Sequence, residues 1–143
     1  MLNKIKNRKQ EGFTIIEVLI VLAIAGLIML IVFLAVPALQ RNARNNEIKS
    51  EASRIATTAN EFVANANNTF PSGLADAASI KTQANVTRIT SLVIGGAAPT
   101  GTAARLFAPG TCSGVAAITA PAGSRSMAVD YILDGGAKAC IQI

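Results

Sequence analysis

The chain has 143 residues, 51% of them apolar, with a formal charge of +5, two cysteines and no histidine. That supply excludes histidine-based nucleophilic catalysis and leaves a zinc site without its usual ligands. No phosphate-binding glycine loop occurs either, so the reading is of a non-enzyme that needs no metal and no cofactor.

Lys4, Lys6, Arg8 and Lys9 open the chain, Gly12-Phe13-Thr14-Ile15-Ile16-Glu17 follows, and an uncharged apolar run continues from Val18 to Leu39. The run is long enough for a bilayer, which takes about 20 residues as a helix. The basic flank then predicts a cytoplasmic N-terminus and everything beyond residue 40 on the outer side. Glu17 is the costly residue. An Asp at the centre of a spanning helix costs roughly 2.5–3.5 kcal/mol, and an acid nearer the end costs less. A first-turn position favoured by the helix dipole accounts for the tolerance of Glu17, yet leaves Gly12-Phe13 without a reason. An ordinary secretory signal, cut near Val36-Pro37-Ala38, is the competing reading. Its apolar region normally spans about 7–15 residues, and the run here is longer.

A basic leader, Gly12, Phe13, Thr14, Glu17 and then a long apolar run resemble the class III signal of type IV pilins and pseudopilins. The resemblance implies a removed leader, residues 1–12, cut by a membrane-embedded prepilin peptidase between Gly12 and Phe13, followed by N-methylation of Phe13. It also implies that Glu17 pairs with the Phe13 amine of a neighbouring copy and sets axial register. The partners it implies are identical copies in a helical filament, an assembly platform with cytoplasmic ATPase motors, and membrane lipid before assembly. Adhesion to a host surface, twitching motility and DNA uptake are the roles such filaments serve. A minor pilin or a secretion pseudopilin is the alternative within the same class. Leader removal takes away four of the thirteen basic residues and Glu11, leaving about +2. The basic balance is therefore mostly a targeting signal.

Residues 13–39 are expected to form the transmembrane or filament-core segment, and 40–143 an extracytoplasmic head that includes the second half of the helix. From Gln40 to Ala66, the residues Ile48, Ala52, Ile55, Ala59, Phe62 and Ala66 recur at steps of three and four, which predicts one apolar helix face. Glu47, Glu51, Lys49 and Arg54 fill the remainder, as on a solvated face. A helix from Phe13 to Asn67 would be roughly 80 Å long. Two residues are expected to loosen it. Gly26 permits close helix approach in lipid, and Pro37 removes one backbone hydrogen bond, with a kink expected over residues 33–37. Gly26 matches a glycine of the pilin pattern, whereas the usual pilin proline would fall at Leu34.

Asn67-Asn68 and Pro71-Ser72-Gly73 end the helix. Leu74–Asn85 reads as a loop with a brief helix and Ile89–Ile94 as a strand or buried connector. Strands are expected at Thr102–Phe107, Val115–Thr119, Ser126–Leu133 and Ala137–Ile143, separated by Pro109-Gly110, Pro121-Ala122-Gly123 and the hairpin signal Asp134-Gly135-Gly136. The fold class is therefore α+β, a long N-terminal helix packed on a small antiparallel sheet.

Cys112 and Cys140 both fall in the exported part and are expected to form one disulfide. Closing a loop of about 29 residues stabilises by roughly 3.5 kcal/mol on the chain-entropy model. In type IVa pilins a bridge of this kind bounds a variable surface region, here Ser113–Ala139. Asp130 reads as the solvent side of a strand and Asp134 as a turn residue, which leaves little for calcium. Lys81, Arg88, Arg105, Arg125 and Lys138 are scattered as surface charges are, and carry only a weak case for DNA phosphates. Asn67-Asn68-Thr69 and Asn85-Val86-Thr87 match the glycosylation sequon.

Overall fold

The structure, a computed structural model, describes residues 12–120 and 124–143. The leader up to Glu11 and the expected turn Pro121-Ala122-Gly123 lie outside the described residues. The molecule divides into two compact units, one ending at Leu39 and one running from Gln40 to Ile143.

Helix α1 is Ile15–Asn65, with Pro37 inside it. Its residues up to Leu39 present large apolar side chains that the chain itself leaves exposed, among them Leu19, Leu27 and Leu34. Such a segment satisfies its backbone internally and its side chains only in lipid or against other helices. Among the described residues it provides the one helix long and apolar enough to cross a membrane.

Beyond Gln40 the same helix has a core side. Ile48, Ala52, Ile55, Ala56 and Ala59 are buried, and Phe62 packs at the margin. Full burial of a side chain such as Ile55 contributes about 1.5–3 kcal/mol. The helix ends through Asn67 and Asn68, whose φ values of 51° and 65° reverse the chain. Asn68 N–H then donates to Val63 O at 3.0 Å, the long bond that closes a helix C-terminus.

The remaining elements are α2 (Gly73–Gln83), β1 (Ser91–Ile94), β2 (Ala103–Phe107), β3 (Gly110–Ser113), β4 (Ala116–Thr119), β5 (Ala128–Ile132) and β6 (Lys138–Gln142). Helix α2 is an 11-residue helix that takes up most of the stretch expected as a loop with a brief helix. Ala77 and Ile80 anchor it in the core, and Asp76 takes the Ser72 N–H at 2.7 Å. The α+β class holds, with two differences in the sheets. The main sheet, ordered β1-β2-β5-β6, is mixed because β1 pairs parallel with β2. A second sheet, the hairpin β3–β4, stands apart from it. The Pro109-Gly110 turn signal hides β3, since strand pairing begins at Gly110 itself. A Cβ there would lie 2.3 Å from the Phe107 Cβ, so only glycine fits. The Asp134-Gly135-Gly136 signal makes the β5–β6 turn, closed by Leu133 N–H to Ala137 O at 2.7 Å.

Sheet alternation sends Leu92, Ala104, Leu106, Val129 and Tyr131 into the core with the α1 stripe. The opposite face is where the sequence reading fails. Asp130, expected in solvent, is 3% exposed, and Arg105, expected among scattered surface charges, is 8% exposed. The alternation is right, but the β3–β4 hairpin covers that face, and the two residues neutralise one another. Arg105 Nε donates to Asp130 Oδ1 at 3.0 Å while Nη2 holds the second oxygen.

Glu51 is the third correction. Expected on a solvated helix face, it is 4% exposed. Its carboxylate receives the backbone N–H groups of Thr87, Arg88 and Ile89 at 2.8–2.9 Å, and the Thr87 hydroxyl at 3.0 Å. Burial pushes this carboxyl upward, but the combined donors of Arg88, Thr87 and Ile89 outweigh it and hold it below its ordinary value. The result ties α1 to the segment that leads into β1. Arg88 reinforces the tie by donating from Nε to Glu47 Oε2 at 2.7 Å.

Glu51→Gln would turn an NH₂ group against backbone donors and is expected to cost about 2–3 kcal/mol. Urea unfolding of the chain in detergent, followed by the fluorescence of its single tyrosine, Tyr131, checks this. The lowered carboxyl also fixes the sign of the pH response. Its contribution is complete above the unfolded value, about 4.3 for Glu, and is lost as pH falls through the lower folded value. The Gln variant is expected to lack that part of the acid response.

Candidate functional site at the N-terminal helix start

The motif residues lie at the beginning of α1. Gly12, Phe13 and Thr14 precede the first helical residue, Ile15, and all are exposed. Phe13 is 90% exposed, and with Glu17, Val18, Val21 and Leu22 it lines an apolar groove on one side of the helix start. Glu17 sits in the first turn, where the free N–H groups and the dipole favour an anion.

Thr14 and Glu17 form a reciprocal cap. The Thr14 N–H donates to Glu17 Oε2 at 2.8 Å and the Thr14 hydroxyl to the same oxygen at 2.6 Å, while Glu17 N–H points back to Thr14 Oγ1 at 3.4 Å. This is the capping-box arrangement, a Thr at the cap and a Glu three residues later. The sequence reading passed over Thr14 as a functional residue. The spacing Thr14-x-x-Glu17 immediately before an apolar run is the signal that finds it. The cap leaves one carboxylate oxygen, Oε1, without a donor among the described residues.

No atom outside the immediate backbone lies within 4 Å of a Cβ built at Gly12 or at Gly26. Packing among the described residues therefore does not require glycine at either position. Pro37 lies within α1 and does not end it. Cys112 and Cys140 are bonded to one another, with Cα atoms 5.9 Å apart. Far from bringing the two acids together around a cation, the structure gives each its own arginine: Asp130 pairs with Arg105, and Asp134 with Arg44 at 2.7 Å. Among the described residues no three His, Cys, Asp or Glu side chains are grouped as a metal site needs. Of the basic residues considered for DNA, Arg105 is buried and Arg88 is paired with Glu47.

Residues 7–33 match the family model described as the prokaryotic N-terminal methylation motif. The chain thus carries the class III signal peptide of type IV pilins, joined to a long apolar helix. The match supports a type IV pilin-like or pseudopilin-like precursor, a structural class that is in general processed by prepilin peptidase and assembled into a pilus. It fits a membrane-anchored precursor. No curated protein and no solved structure matches the chain.

Thr14→Ala removes one donor to the carboxylate and the acceptor of Glu17 N–H. Loss of a helix N-cap of this type costs about 1 kcal/mol. Amide exchange at Ile16–Val18, measured by NMR in micelles, is expected to rise roughly fivefold, the equivalent of that energy when local fraying controls exchange.

Proposed function

We propose that this chain is a structural subunit of a type IV pilus filament, made as a single-pass precursor with its N-terminus in the cytoplasm. In this reading the leader, residues 1–12, is removed by prepilin peptidase at the Gly12–Phe13 bond, and the new Phe13 amine is N-methylated. Residues 13–39 become the filament core and 40–143 its outer head. The single observation that supports it most is the position of Glu17, an acid held in the first turn of α1 within the matched motif.

The chemistry gives cleavage a purpose. Cutting the bond creates a cationic amine on Phe13, and Thr14 and Glu17 both stay on the product side. The cap therefore survives processing and keeps the carboxylate oriented. In a low-dielectric fibre core, an amine from a neighbouring copy attracts that carboxylate far more strongly than in water. The pair neutralises two buried charges and sets the axial step between copies. Gly26 and Pro37 serve the same core in this reading, Gly26 by admitting a close neighbour and Pro37 by letting the helix yield locally. Transfer of the helix from lipid to a helical bundle brings no large hydrophobic gain. An assembly platform driven by cytoplasmic ATPases supplies the work, as the resemblance implies.

A minor pilin or secretion pseudopilin is the second reading. The bridge Cys112–Cys140 near the C-terminal end of the described head favours the pilin. Adhesion, twitching motility and DNA uptake are the filament roles open to it.

Fibres sheared from cells are expected to contain this chain as their main component, beginning at N-methylated Phe13 by mass spectrometry. Glu17→Ala is expected to be inserted and processed but to yield few or no fibres. Normal fibres from that variant would overturn the pairing role, and a mature N-terminus other than Phe13 would overturn the cleavage assignment.

A further inference from the structure

The sheet face turned away from α1 carries a cross-strand row that runs through all four strands. Val93, Arg105, Asp130 and Cys140 are successive register partners across β1, β2, β5 and β6. Two links rise from this row to the hairpin β3–β4. Cys140 is bonded to Cys112 on β3, and Arg105 Nη2 donates to the carbonyl of Ala117 on β4 at 3.2 Å. Cys112 and Ala117 are themselves register partners. The links therefore close a circuit through Arg105, Asp130, Cys140, Cys112 and Ala117, in which one link, the disulfide, is reducible.

Arg105 is itself firmly held. Besides gripping both oxygens of Asp130, it donates from Nη1 to Gly96 O at 2.8 Å, and its guanidinium lies 4.6 Å from the Phe107 ring centroid. Ala117 is 2% exposed. Undocking the hairpin would break a hydrogen bond made by a charged donor, which is worth more than a bond between neutral groups.

Two further bonds reach the β3 strand, from Gly110 N–H to Ser126 O at 2.8 Å and from Cys112 N–H to Gln142 Oε1 at 3.2 Å, but neither touches β4. We infer that Arg105 is a fastener of the β3–β4 hairpin independent of the disulfide, and that it keeps the hairpin docked when the Cys112–Cys140 bridge is opened. The disulfide acts chiefly on the unfolded chain; Arg105 acts on the folded hairpin. The surface that displays Val115 and Ile118, both exposed, then keeps its form in either redox state. Lysine in place of Arg105 retains a charge for Asp130 but lacks the planar fork that also reaches Ala117 and Gly96.

The test is hydrogen exchange with mass spectrometry on the full chain in detergent, before and after treatment with a dithiol. The dithiol becomes its cyclic disulfide as the Sγ–Sγ bond breaks and each cysteine gains one electron and one proton. Peptides covering residues 110–119 of the unaltered chain are expected to stay protected after reduction. In Arg105→Lys they are expected to stay protected while oxidised and to exchange about tenfold or more faster once reduced, the loss of a hydrogen bond to a charged group. The double variant Arg105→Met with Asp130→Leu removes the pair without leaving a buried charge alone and is expected to behave likewise. Peptides from α2 and β5 report that the head remains folded. Release of the hairpin by reduction of the unaltered chain would overturn the inference, as would continued protection of the hairpin in the reduced double variant.

Discussion

One carboxylate in the first turn of α1, at the head of a run that is otherwise uncharged and apolar as far as Leu39, constrains everything at this end of the chain. Glu17 cannot be ignored by a hydrocarbon environment, because a charge there requires donors or a counter-ion. Thr14 supplies two donors to one of its oxygens. The cap makes the residue tolerable in a single chain but leaves acceptor capacity for something more. In the proposed reading, a processed amine from another copy matches that capacity in charge and in timing, since it does not exist before the leader is cut. In the proposed fibre, the acid that is a liability in the lone subunit becomes the reason subunits meet in one register.

The two compact units solve different problems. The apolar half of α1 has its backbone satisfied and its side chains unsatisfied, so it depends on lipid or on other helices. The head completes its own core with the Ile48–Ala59 stripe, α2 and the mixed sheet. Its charged residues are used as ties between segments. Glu51 holds three successive amides of residues 87–89, and Arg105 with Asp130 holds the covering hairpin. Each tie joins segments distant in sequence, which is what a small head with a modest core needs.

The features legible in the sequence are those written locally. The three-and-four spacing of Ile48, Ala52, Ile55 and Ala59 identifies a helix face because the periodicity is a property of the helix alone. Asp134-Gly135-Gly136 identifies a turn because its conformation demands those residues. The motif from Gly12 to Glu17 stands out against a basic flank and an apolar run. What could not be read depends on what covers a surface. Glu51 occupies a position indistinguishable from its solvated neighbour Glu47 until a segment 36 residues later folds over it. Asp130 has the right alternation for an exposed strand position, but a hairpin of 10 residues, Gly110–Thr119, removes the solvent. The parallel β1–β2 pairing is likewise a matter of how the connection after Ile94 returns, which no pattern within either strand records.

The central claim is that the carboxylate of one copy meets the amine of another. Fibres assembled from two populations, one labelled with ¹⁵N in Phe and the other with ¹³C at the Glu carboxyl, permit a direct dipolar measurement by solid-state NMR. Coupling between the Phe13 amine and Glu17 of different copies, at a separation within about 4–6 Å, is the result the account predicts. Fibres that form normally without that coupling would contradict it.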